Sequence, residues 1–162
     1  MRPIDKVIDE YWAAFNRKNI DTILATLDDQ VYFYSPSYPF GTQGKIYVHL
    51  FLSELFINSS VSISDKIVYS LADRESKTDQ AVASGIIKGK IILPEKINSH
   101  WNSRPSPSFR LWGATYFKIN PSNGLISELH TYWDLYTFLH HDQIEINNYV
   151  ALIPEVSQAG NA

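Results

Sequence analysis

The chain has 162 residues, 44% of them hydrophobic and 19% charged, which is the make-up of one folded domain and not of a disordered segment. A net charge of −3 without any Lys/Arg cluster gives no reason to expect a nucleic-acid partner. The absence of cysteine removes disulfides, thiolate metal sites and a Cys nucleophile, and it fits a reducing compartment.

The charged opening Met1–Lys6 does not suit a signal peptide, and no apolar run approaches the ~20 residues of a membrane-spanning helix. A cytoplasmic protein with no membrane partner is the expectation. Aromatic residues make up 14% of the chain, with ten Tyr and four Trp. Such side chains suit a ligand cavity, a subunit interface or a Tyr-rich core.

In chain order, Pro3 is placed to begin a helix carrying Ile4, Val7, Ile8, Tyr11 and Phe15 at helical spacing. Asn19 or Asp21 caps a second short helix with an apolar stripe of Ile20, Ile23, Leu24 and Leu27, which Asp28-Asp29 ends. Residues 30–35 alternate as a strand, 36–44 read as a turn region, and 44–57 as a third helix that is apolar on nearly every side. Two strands follow, 61–74 and 80–93, joined by a polar turn. The segment 94–108, with Pro94, Pro105 and Pro107, reads as a long loop of the kind used for lids. A hairpin of 109–120 and 125–133 turns at Pro121-Ser122-Asn123-Gly124. A last helix starts near Asp134, the domain covers 1–153, and the tail 154–162 frays. Helices followed by an antiparallel meander predict an α+β fold.

Two segments carry a family resemblance. One is Tyr11-Trp12-Ala13-Ala14-Phe15-Asn16-Arg17-Lys18-Asn19-Ile20-Asp21, running on to Asp28-Asp29 and Ser35-Pro36. The other is Asn123-Gly124-Leu125-Ile126-Ser127-Glu128-Leu129 followed by His130-Thr131-Tyr132-Trp133-Asp134. In this order and spacing they resemble the nuclear transport factor 2-like superfamily, especially its SnoaL-like polyketide cyclase and ketosteroid isomerase branches. The resemblance implies a cone-shaped curved antiparallel sheet with N-terminal helices packed on its concave face around an internal pocket. It also implies a homodimer through the outer sheet face, and chemistry without cofactors.

Strand parity separates two sets of residues. Val31, Phe33 and Ser35, then Leu111, Gly113, Thr115, Phe117 and Ile119, and finally Leu129, Thr131 and Trp133 form apolar sets with a few hydroxyls, as expected of a lined cavity. Phe51 joins them from the third helix. The opposite sets, Tyr32, Tyr34, Arg110, Trp112, Tyr116, Lys118, Glu128, His130 and Tyr132, mix aromatics with charges in the manner of an interface.

By resemblance, Tyr11 falls on the isomerase's oxyanion tyrosine, Ser35 on its base and Thr115 on its oxyanion Asp. Thr131 falls on the acidic position of the SnoaL-like cyclases. All three carboxylate positions therefore carry hydroxyls, and a Ser hydroxyl without an activator is no general base at neutral pH. Tyr11 is either a hydrogen-bond donor to a ligand oxygen or a core residue with a satisfied hydroxyl. Asp134 either transfers a proton or caps the last helix. His49, on the third helix, is either the general base or a core or interface histidine. His130 has the wrong parity for the pocket unless its strand is bulged. His100 sits beside Trp101 either on a lid or on an exposed loop. His140-His141 cannot share one metal ion, because neighbouring helical residues diverge by about 100°. No metal site is expected.

Two functions follow. One is a cofactor-independent isomerase, cyclase or dehydratase acting on a polyketide-, terpenoid- or steroid-like substrate. The other is a non-catalytic binding or dimerisation module that keeps the pocket for a small apolar ligand.

Overall fold

The computed structural model describes residues 3–36, 38–70, 80–91 and 108–133, of which 38–40 and 91 are described by backbone alone. Pro3, at φ −60°, accepts from Lys6 N and Val7 N at 3.1 and 3.4 Å and so begins α1, Ile4–Asn16. The stripe Ile4, Val7, Ile8, Tyr11 and Phe15 is buried, and each large apolar side chain taken from water contributes roughly 1.5–3 kcal/mol. Asn16 ends the helix and holds β3 by its side-chain amide. Its Nδ2 donates to Ile63 O at 3.0 Å, and its Oδ1 accepts from Ile63 N at 2.8 Å.

Asn19 caps α2, Ile20–Ala25, by accepting from Thr22 N at 3.0 Å. This helix is shorter than its apolar stripe suggests. Thr26 folds its hydroxyl onto Ile23 O at 2.6 Å, and its own carbonyl accepts from Ile126 N at 2.9 Å. Leu27 therefore opens β1, Leu27–Ser35, and Asp28-Asp29 lie in the strand instead of closing the helix.

The predicted turn region contains β2, Tyr38–Gln43. Its proline and glycine residues read as turn signals, but β2 is an edge strand, where proline costs no ladder bond on the open side. Gly44, at φ 114°, leads into α3, Lys45–Asn58, whose inward residues Val48 and Leu52 are buried.

The remaining strands are β3, Ser59–Ser70; β4, Gln80–Ile91; β5, Ser108–Ile119; and β6, Ile126–Trp133. They complete a curved six-stranded sheet ordered β2-β1-β6-β5-β4-β3. Every neighbouring pair is antiparallel except β1 and β6, which run parallel. The sheet is thus mixed where an antiparallel one was expected, because β1 and β6, far apart along the chain, lie side by side and run in the same direction.

Two bulges shape it. On β3, Asp65 (φ 53°) and Lys66 interrupt the register with β4. On β6, Lys118 faces Glu128 but Ile119 faces Ile126, so Ser127 is the extra residue. This second bulge lets both Ile126 and Leu129 point toward the helices. It lies before His130, which keeps the outward parity.

α1 and α3 cover the concave face. Small residues on β4 make room for the aromatics of α1: Ala81 and Ala83 are buried, and a Cβ on Gly85 would come within 2.9 Å of Ser64 O and 3.5 Å of the Trp12 ring. Lys66, paired with Asp9, lies 5.9 Å above the centroid of that ring.

Candidate functional site: the inner face beneath α1 and α3

The strand register assembles most of the predicted site residues. Thr115 pairs directly with Thr131, while Ser35 follows Tyr34, whose partner on β6 is His130. Ser35, Thr131 and Thr115 thus occupy one level across three adjacent strands. One level further along, Phe33 pairs with Leu129, and Leu129 with Phe117. The Tyr11 ring meets Phe117 edge-on at 5.5 Å, and Phe51 of α3 meets Phe33 at 5.1 Å.

Phe33, Phe117 and Leu129 are fully buried and form a floor continuous with the core. Trp133, Thr131 and Phe51 are half-buried. Trp133 pairs with Gly113, whose missing side chain leaves that level to Ile87 of β4.

The hydroxyls differ in what they offer. Thr131 donates to Tyr34 O at 3.3 Å, which leaves its lone pairs free to accept. Ser35 and Thr115 are buried. Burial pushes the Tyr11 phenol well above its ordinary range, so it stays protonated and acts as a donor, never as a base. No Asp, Glu, Lys or Arg occupies an inward position of β5 or β6, or of β1 from Val31 to Ser35.

Three buried polar atoms on the helix side have no hydrogen-bond partner among the described residues: Trp12 Nε1, Thr42 Oγ1 and His49 Nδ1. Thr42 pairs with Phe33 and shares its side of the sheet. It is a polar group that sequence reasoning missed, since its strand was read as a turn. His49 follows the buried Val48 on α3 and so sits at the flank of the inward stripe, half-buried. Asp134, the helix after it, the 94–107 part of the loop with His100, His140-His141 and the tail lie outside the described residues. Among the described residues no group of His, Asp and Glu side chains converges as a metal site, and no helix is long and apolar enough to cross a membrane.

On the opposite face, pairing across the strands aligns Tyr69, Val82, Tyr116, His130 and Tyr34 in one row. His130 lies 5.2 Å from the Tyr116 ring, 5.3 Å from Tyr32 and 6.2 Å from Tyr34. Trp112 is 62% exposed, Tyr69 56% and Tyr132 47%, a large aromatic area open to solvent. Within it Lys118 pairs with Glu128 at 2.5 Å.

Solved structures with this architecture fix the fold. A candidate polyketide cyclase from Xanthomonas campestris superposes with a TM-score of 0.67 at 20% identity, covering 83% of this chain and 92% of its own. The epoxide hydrolase/cyclase-like enzyme SalBIII, of pyran ring formation in the polyether salinomycin, gives 0.61 at 14% identity over 82% and 91%. A nuclear transport factor 2-like protein from Burkholderia pseudomallei gives 0.60 at 14% identity over 88% and 98%. No family model and no curated protein matches the sequence itself. The chain has the nuclear transport factor 2-like fold, in the form also seen in SnoaL-like cyclases and ketosteroid isomerase-like proteins.

Proposed function

We propose that the protein binds a small, uncharged, largely apolar molecule carrying a carbonyl or hydroxyl, between α1, α3 and the inner sheet face. The observation that carries this reading is the set of unpartnered buried atoms Trp12 Nε1, Thr42 Oγ1 and His49 Nδ1, on the same side as Tyr11, Ser35, Thr115 and Thr131. A buried polar group left without a partner costs about 1–3 kcal/mol, and a bound ligand with matching atoms offsets that cost. Aromatic walls with a few polar groups suit a small-molecule site. With no charge at these inward positions of β1, β5 and β6, a carboxylate or ammonium ligand would lose its hydration without finding a counter-ion.

The test is a thermal-shift and Trp-fluorescence screen of polycyclic and terpenoid ketones and alcohols against the matching carboxylates and amines. Neutral members should raise the melting temperature and charged ones should not; the reverse order sinks the reading. Tyr11→Phe keeps the ring and removes only the donor. It should weaken a bound ketone about tenfold while changing stability by less than about 1 kcal/mol.

A catalytic variant of this reading rests on His49, whose buried Nδ1 makes no hydrogen bond among the described residues. Isomerisation, cyclisation or dehydration of the bound molecule would then use His49 or Asp134 for proton transfer, with Tyr11 orienting an oxygen. The structural likeness to a candidate polyketide cyclase and to an epoxide hydrolase/cyclase-like enzyme supports this direction. A turnover assay separates the two: an enzyme converts the bound molecule and loses that turnover in His49→Gln, whereas a binder shows no turnover even in the wild type.

The outer face supports a homodimer. It is rich in exposed aromatic side chains, and Lys118 and Glu128 pair within it. Aromatic residues are enriched where protein surfaces meet.

A further inference from the structure

We infer that His130 makes self-association of the outer sheet face proton-sensitive: the neutral imidazole allows two copies to pack, and a proton on it separates them. This rests on the homodimer reading given above.

His130 stands in the middle of the aromatic row, with Tyr32 and Tyr34 on β1, Tyr132 and Glu128 on β6, and Tyr116 and Lys118 on β5 facing it. Its Nδ1 is 3.5 Å from the Tyr132 hydroxyl. Its Nε2 is buried and makes no hydrogen bond among the described residues; Glu128 Oε2 lies 3.5 Å away. The carboxylate is already engaged, since Lys118 Nζ holds Glu128 Oε1 at 2.5 Å. A protonated His130 would therefore be a cation in an aromatic surface whose anion is committed to Lys118.

In the free chain, burial already holds this imidazole below its ordinary value, opposed by Glu128 and aided by Lys118. A second copy laid over the row removes more water and lowers the value further. The sign follows from linkage: the associated state binds fewer protons, so association is full above the free-chain value and is lost as pH falls through it. A two-fold dimer carries two such histidines. Lowering each by about one unit gives up to a hundredfold weaker association at acid pH.

Sedimentation of the full chain over a concentration series, at about pH 7.5 and about pH 5, reads this directly. The expected result is a dimer at the higher pH that dissociates at the lower, with both His130→Phe and His130→Gln dimeric and flat across the range. The His130 ring proton, followed by NMR, should titrate lower in concentrated than in dilute protein. A dimer equally tight at both pH values, or a variant that keeps the wild-type pH dependence, overturns the inference while leaving the dimer intact. A chain that stays monomeric at about pH 7.5 overturns the dimer reading itself, and this inference with it.

Discussion

The two faces of one sheet are made by the same strands, residue by alternate residue, yet they satisfy their polar atoms in opposite ways. On the inner face the strands carry neutral hydroxyls, and the unpartnered atoms come from the packed helices and the edge strand: Trp12, His49 and Thr42. On the outer face the unpartnered atom, His130 Nε2, belongs to the strands themselves and sits among exposed tyrosines. Helices cover the inner face, while the outer face is open. Burial distinguishes them: Phe117 and Leu129 are fully buried, while Trp112 and Tyr132, each one strand position from an inward residue, are largely open.

The largest effect that separates the faces should come from the floor of the inner one. Phe117 is fully buried, stacks edge-on with Tyr11 and pairs with Leu129. Phe117→Ala should cost about 3–5 kcal/mol in urea unfolding, since the cavity it leaves is walled by other buried side chains. A loss below about 1 kcal/mol would mean that this face is already open at Phe117 and that the floor belongs to the ligand space.

Trp112→Ser is the matching change outside. Measured at dilutions where the chain is monomeric, it should alter stability by no more than about 0.5 kcal/mol, because Trp112 is mostly in solvent. If the outer face joins two copies as proposed, at higher concentration it should weaken their dimer about thirtyfold, the ~2 kcal/mol expected of a central aromatic anchor. Unchanged sedimentation would remove Trp112 from the contact and narrow the interface to the tyrosine row.

This separation of faces was readable before any coordinates because side-chain parity is local. The α1 stripe, the inward Phe33, Leu129 and Phe117, and the outward His130 all follow from spacing alone. What escaped depended on partners far along the chain. Pro39 and Gly41 signal a turn anywhere except on an edge strand, and β2 is an edge only because β1 pairs with β6 on its other side. Losing β2 hid Thr42. The α2 stripe overran into Leu27 because an apolar residue after a helix and one opening a strand look alike until Ile126 is seen opposite. His49 was placed on an inward helix, but whether it points to the centre or the flank of that helix depends on packing no spacing rule contains.

The smallest expected effect lies where the two faces are tied together. Asp28, early in β1, accepts from Asn120 Nδ2 at 3.1 Å and Asn123 Nδ2 at 2.8 Å through one oxygen, and from Gln30 N at 3.0 Å through the other. These bonds join the β5–β6 turn to β1, where the parallel pair begins. The bond from Asn123, then those from Gln30 and Asn120, hold the Asp28 carboxyl below its ordinary value. A carboxyl lowered in the folded state contributes stability above its unfolded value of about 3.9, and this is lost as pH falls through the folded value. Because Asp28 is largely solvated, the contribution should stay below about 1 kcal/mol. Asp28→Asn should therefore be slightly less stable than wild type near neutral pH, with the gap closing in acid. If the gap persists once the carboxyl is protonated, the turn is held by the shape of the side chain and not by its charge. The register of β6 against β1, which sets both faces, would then rest on backbone pairing and the Ser127 bulge alone.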